Sequence, residues 1–158
     1  MLTTITLGVS ANVRRDDFVT WCRSARARLC FPGARNATGD GAGLHFEVSL
    51  RAPGAAPAIV TVDEYLKDHG REAGALWFET SQVWMWPNRQ AGTSWQRYKF
   101  RENGAQTDLD FEWRFMLPGL AGAQVANAML FARSVERAAE IYLEQIAERA
   151  EAHFAAVA

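Results

Sequence analysis

From Leu44 to Leu117 the apolar residues of the chain recur with a period of two, and from Ala121 to His153 they step by three or four. That change, from the pleat of a strand to the turn of a helix, constrains the fold more than any other feature. Leu44, Phe46, Val48 and Leu50 alternate with His45, Glu47, Ser49 and Arg51. After a Pro/Gly/Ala turn at 52–57, Ala58, Val60 and Val62 begin a second strand, and 67–74 reads as the next turn. Leu76, Phe78, Thr80, Gln82, Trp84 and Trp86 share one face of a long strand, with Trp77, Glu79, Ser81, Val83 and Met85 on the other. Turn signals at Pro87-Asn88 and Ala91-Gly92 lead to a strand at about 93–101. Glu102-Asn103-Gly104 predicts a hairpin, because Asn-Gly accepts positive φ at little cost. In the last strand, Leu109, Phe111, Trp113, Phe115 and Leu117 alternate with Asp108, Asp110, Glu112 and Arg114, and Leu117-Pro118-Gly119 closes it.

The terminal segment has no proline and only Gly122 as glycine. Val125, Met129, Ala132, Val135, Ala139, Tyr142, Ile146 and Ala150 form its apolar stripe. The spacing predicts one helix of roughly 30 residues, about 45 Å long at about 1.5 Å per residue. Ahead of Leu44, residues 2–10 alternate as a strand, with Ile5, Leu7 and Val9 on one face. Phe18, Val19, Trp21, Cys22 and Ala25 then recur at helical spacing on to Leu29, in a short helix broken near Arg28 and ended by Phe31-Pro32-Gly33. Residues 34–43 read as a loop. Consecutive hairpins predict an antiparallel meander with one apolar face. The terminal helix is the only element long enough to cover that face. A curved sheet wrapped around one helix leaves a space lined by inner side chains and closed by loops and the short helices.

The closing pattern GTSWQRYKFRENGAQTDLDFEWRFMLPG, the opening strand ITLGVSANV and the helix start DDFVTWC together resemble the START/polyketide-cyclase superfamily, over essentially the whole chain. This is the helix-grip fold also seen in the birch pollen allergen. The resemblance implies an α+β fold. A curved antiparallel sheet of about six or seven strands wraps a long C-terminal helix, and two short helices follow strand one. It implies one domain over 1–158. The superfamily includes aromatase/cyclases, lipid and quinone carriers, hormone receptors and co-chaperone domains, so fold resemblance does not choose a function.

Composition narrows the classes. The chain has 158 residues, a length that suits one domain. Seventeen basic residues against 18 acidic ones lack the positive excess of a nucleic-acid binder. Cys22 and Cys30 cannot form a disulfide framework and read as buried free thiols. The opening MLTTITLGVS lacks the features of a signal peptide, and no apolar run is long enough for a membrane span. The expectation is a cytoplasmic protein. Lys67 and Lys99 are the only lysines, an arginine-rich usage that fits a bacterial GC-rich genome. No phosphate-binding glycine motif, C-x-x-C pair, H-E-x-x-H or G-x-S-x-G is present. His45, His69 and His153 have no ligand spacing, so neither metal nor cofactor is expected.

Two sets of residues point to a site. Phe46, Phe78, Trp84, Trp86, Tyr98, Phe111 and Trp113 sit mostly on the expected inner face, with Met129 facing them from the helix. They either fill the core or wall a cavity for a planar, apolar ligand. Thr80, Gln82, Gln96 and Glu64 are polar residues in apolar phase. Buried polar groups persist only when bonded to one another, to water or to a ligand. Glu64 and Tyr98 are the titratable members and thus the candidate acid/base pair. Trp95 is out of phase with Tyr98 and Phe100, which predicts a bulge or an exposed Trp. Three functions remain open: binding a hydrophobic or aromatic small molecule (lipid, quinone or polyketide-like), polyketide cyclase/dehydratase chemistry in the same cavity, or protein interaction without a ligand. Either a monomer or a homodimer is compatible with the sequence.

Overall fold

The computed structural model describes residues 2–50, 56–87, 89, 91–116 and 123–157; over 123–132 it describes the helical backbone and not the side chains. Strand β1 spans Leu2–Ala11, followed by the short helices α1 (Arg15–Cys22) and α2 (Ala25–Arg28). Strands β2 (Ala34–Gly39), β3 (Gly43–Leu50), β4 (Ala58–Glu72), β5 (Ala75–Met85), β6 (Ala91–Asn103) and β7 (Gln106–Met116) precede the terminal helix α3 (Ala123–Ala156). The strands form one antiparallel sheet of seven in the order β1-β7-β6-β5-β4-β3-β2. The meander expected from consecutive hairpins is therefore present, with β1 returning to pair with β7. Helix α3 has 34 residues, about 50 Å at about 1.5 Å per residue.

Alternation decides what is buried. Val60, Val62, Phe78, Trp84, Tyr98, Phe100, Leu109, Phe111, Trp113 and Phe115 point inward and are buried. Val135, Ala139, Tyr142, Leu143, Ile146, Ala147 and Ala150 of α3 join them in one core. Phe31, just past α2, touches Trp84, Trp113 and Tyr142 with ring centroids 5.8–6.5 Å apart. The break between α1 and α2 lies at Ser24, whose Oγ accepts from Ala27 N at 3.3 Å as an N-cap. Cys22 and Cys30 are free and buried. Burial pushes the Cys22 thiol well above its usual range.

Three expectations need correction. Residues 34–39, read as part of a loop, form β2 at the sheet edge. Asn36 at φ 54° and a register shift between Arg35 and Thr38 remove the alternation that would mark it. Residues 67–72, read as a turn, continue β4 past a register shift at Leu66/Asp68. There the strand projects beyond the core, mostly exposed on both faces, so no apolar phase is written into it. The turn itself is Ala73–Gly74, at φ 46° and 80°. The hairpin expected at Asn103-Gly104 is present, but Asn103 pairs with Gln106, so its loop is Gly104–Ala105 with Gly104 at φ 63°. Leu117-Pro118-Gly119 and the turn at 51–55 lie outside the described residues.

The outer face carries cross-strand charges, with Arg97 opposite Glu112, Lys99 opposite Asp110 and Arg101 opposite Asp108. Trp95 belongs to this face. No register shift accompanies it, and the Arg114 guanidinium lies 4.9 Å from its ring centre. Trp77 is covered by Arg97 in the same way at 5.1 Å.

Candidate functional site

Strand register brings together the polar residues that stand in apolar phase. Glu64 lies opposite Gln82, Gln82 opposite Ser94, and Thr80 opposite Gln96. All five are buried. Gln82 Nε2 donates to Glu64 Oε1 at 2.5 Å, and Gln82 Oε1 accepts from Ser94 Oγ at 2.6 Å. Ser94 Oγ in turn accepts from Trp84 Nε1 at 2.8 Å. From Glu64 through Gln82 to Ser94 the row runs across three strands, each member bonded to the next.

Arg28 completes this row. It is the last residue of α2, turned inward, and both it and Glu64 are 2% exposed. Its Nε donates to both Glu64 oxygens at 3.0 Å and its Nη2 to Oε2 at 2.5 Å. Its Nη1 donates to the Cys22 carbonyl at 2.7 Å and to the Tyr142 hydroxyl at 2.9 Å. Tyr98 donates its only hydroxyl proton to Gln96 Oε1 at 2.8 Å, so in the 2.9 Å contact between the two hydroxyls Tyr142 is the donor. The result is a directed chain from Arg28 through Tyr142 and Tyr98 to Gln96. Burial is the largest influence on Arg28 and works against its charge, but Glu64, Tyr142 and Tyr98 together outweigh it and hold the guanidinium charged. Burial raises both tyrosines well above the usual range, so each is a hydrogen-bonding phenol at neutral pH.

Beside this cluster, toward the β6–β7 end that carries Gly92 and Met116, the inner face turns apolar. A cavity of about 30 Å³ is lined by Phe31, Trp84, Trp86, Trp113, Phe115 and Val135, among others. That is room for about two water molecules. Its mouth includes Met116, which is 55% exposed. Trp113 is 3% exposed, yet its Nε1–H has no acceptor among the described residues. A second space of about 10 Å³ joins Trp84 and Trp113 to Gln82, Gln96, Tyr142 and Arg28. A third, also about 10 Å³, lies beside Arg23, Thr80 and Phe78.

The residues singled out in the sequence thus divide. Trp84, Trp86 and Trp113 line the apolar cavity, and Phe46, Gln82 and Gln96 the space next to it. Phe78 and Thr80 border the third space, with Glu64. Tyr98 and Phe111 line none of these three; they pack on each other with ring centres 5.0 Å apart. Met129 lies outside the residues whose side chains are described. Glu64 and Tyr98 do not bond each other; the hydrogen bonds that join them among the described residues run through Arg28 and Tyr142. Sequence reasoning missed Arg28, Ser94 and Tyr142. A buried carboxylate at Glu64 requires a cation, and that requirement was the available signal for Arg28.

The backbone matches solved structures along nearly its whole length. A conserved protein from Geobacillus kaustophilus superposes with a TM-score of 0.69 at 6% identity, covering 94% of this chain and 95% of that one. The Zhui aromatase/cyclase from Streptomyces sp. R1128 gives 0.63 at 15% identity, covering 96% and 94%. The chain has the helix-grip fold. Ara h 8.0201 shares it, with a TM-score of 0.57 at 10% identity over 95% and 98% of the two chains. No protein-family model matches the sequence, and no curated protein sequence does. Among the described residues no helix of this helix-grip chain is long and apolar enough to cross a membrane, and none of its His, Cys, Asp and Glu residues cluster as a metal site.

Proposed function

We propose that the protein binds a hydrophobic, planar small molecule at the tryptophan-lined end of the inner space. The observation that carries this reading is the apolar cavity against Trp84, Trp86 and Trp113, with the Trp113 Nε1–H left without an acceptor among the described residues. A buried donor without a partner costs about 1–3 kcal/mol, which a ligand oxygen would offset. The cavity as it stands is smaller than a ring, so binding requires Trp86 and Met116 at the mouth to move aside. Lipids, quinones and polycyclic aromatics are the classes that suit such walls. Titrating one member of each class against tryptophan fluorescence tests the reading. Saturable quenching by at least one is expected. A folded protein that responds to none of them would defeat it.

A cyclase/dehydratase reading is favoured by one observation, that an aromatase/cyclase is among the proteins sharing the fold. Its acid/base candidates, Tyr98 and Glu64, would act through the chain of hydroxyls that ends at Tyr142 and Gln96 beside the cavity. Turnover of a linear poly-β-ketone thioester that is lost in Tyr98→Phe and Glu64→Gln is the expected result on that reading. Unchanged turnover in both variants would remove these residues from it.

A further inference from the structure

The third space lies away from the tryptophans, between Arg23, Thr80 and the turn at Gly41–Gly43. Its polar lining is not used up by the Arg28–Glu64 cluster. Thr80 is 4% exposed, and its Oγ1 makes no hydrogen bond among the described residues. Arg23 follows α1; its Nη2 donates to the Gly41 carbonyl at 3.2 Å, and its guanidinium lies 6.0 Å from the Phe78 ring centre. Its Nε–H is buried and has no acceptor among the described residues. Arg28 and Glu64, also in the wall, compensate each other's charge. Arg23 forms no ion pair among the described residues, so the space carries one surplus positive charge. Asp40, the nearest acid in sequence to the turn, spends an oxygen on the Ala42 and Gly43 amides.

Two spare donors, one surplus charge and about 10 Å³ of room define what fits: a single anionic oxygen. We propose that this space is a carboxylate site. One oxygen accepts from Arg23 Nε–H and Thr80 Oγ1–H, and the rest of the ligand leaves past the Gly41–Gly43 turn. Arg28 is already committed to Glu64, Cys22 and Tyr142, so the new ligand does not compete with the buried pair. The inference is independent of the tryptophan-lined cavity.

The test follows the Arg23 Nε–H resonance by NMR during titration with acetate at constant ionic strength. Saturable movement is expected, with little response to acetamide, which has the same shape without the charge. Thr80→Ser should keep the affinity within about twofold, and Thr80→Val should lose about tenfold, the loss of one charge-assisted hydrogen bond. Gly41→Ala gives a second variant outside the core, because its Cβ would stand 3.2 Å from Arg23 Nη2 and 3.4 Å from Nε. It should weaken acetate by a similar factor. Octanoate distinguishes a free small acid from the carboxylate end of a longer ligand: equal affinities indicate the former, tighter octanoate the latter. The proposal falls if the resonance does not move, if chloride moves it equally, or if Thr80→Val binds acetate as well as the parent protein. In that case the space holds a structural water only.

Discussion

The Arg28–Glu64 cluster and the tryptophan-lined cavity sit side by side on one inner face, and they are built in opposite ways. In the cluster Arg28, Glu64, Gln82 and Ser94 share hydrogen bonds of 2.5–3.0 Å. In the cavity three indoles wall an apolar space, and one indole N–H has no acceptor among the described residues. The first arrangement suits a fixed structural element, since a satisfied polar network rigidifies its surroundings. The second suits a surface that is completed by something from outside. One strand contributes to both, because Gln82 and Trp84 are two residues apart on β5 and share a face.

The largest effect should come from breaking the cluster. Replacing Glu64 or Arg28 by Ala leaves a charge buried and unpaired, so each variant should lose about 3–5 kcal/mol in urea unfolding. Replacing both together, as Arg28→Met with Glu64→Leu, should cost much less than the sum of the single changes. Equal and additive losses would show that the two residues do not act as a pair. Next in size is Tyr142→Phe, which removes a donor to Tyr98 and an acceptor for Arg28. About 1–3 kcal/mol should be lost, again read from unfolding. The same hydroxyls set a pH dependence. Tyr98 and Tyr142 are raised in the folded protein relative to about 10 in the unfolded chain, so the folded state holds more protons. Their contribution is complete below about pH 10 and declines as pH rises above it. Thermal midpoints between pH 8 and 11 should fall, and the fall should be shallower in Tyr142→Phe.

How much of this was legible in the sequence follows from where each residue stands. Alternation marks a strand only where one face is wet and the other dry. The inner faces of β5, β6 and β7 could be read, and Glu64 and Gln82 betrayed themselves as polar residues in an apolar phase. The distal part of β4 is mostly exposed on both faces, and β2 carries a bulge, so neither writes a period. Arg28 was illegible for a different reason. Helix α2 has only four residues, ARAR, and no periodicity can say which arginine turns inward. Tyr142 was visible on the helix stripe as a core residue, but its hydroxyl partners come from α2 and β6, which only the tertiary fold brings together.

On the cavity side the effects should be smaller in stability and larger in binding. Gly92 packs on Trp86, and a Cβ there would stand 3.0 Å from its ring. Gly92→Ala should therefore shift the Trp86 ring, changing affinity for an apolar ligand by about tenfold while stability changes by about 1 kcal/mol or less. An unchanged affinity would move the binding surface away from the mouth. The smallest effect is expected on the outer face. Arg114→Ala removes a half-exposed guanidinium from Trp95 and should cost about 0.5–1 kcal/mol, with no change in ligand binding.

The six indole N–H resonances test the central idea most directly, because the chain carries its tryptophans on both sides of the sheet. During titration with a naphthoquinone, a polycyclic aromatic and a fatty acid, Trp84, Trp86 and Trp113 should shift together and saturably with at least one of them. Trp113 Nε1–H should move downfield as it gains an acceptor, and Trp77 and Trp95 on the outer face should stay in place. Shifts confined to Trp77 and Trp95, or none at all in the folded protein, would contradict a ligand site inside the helix grip.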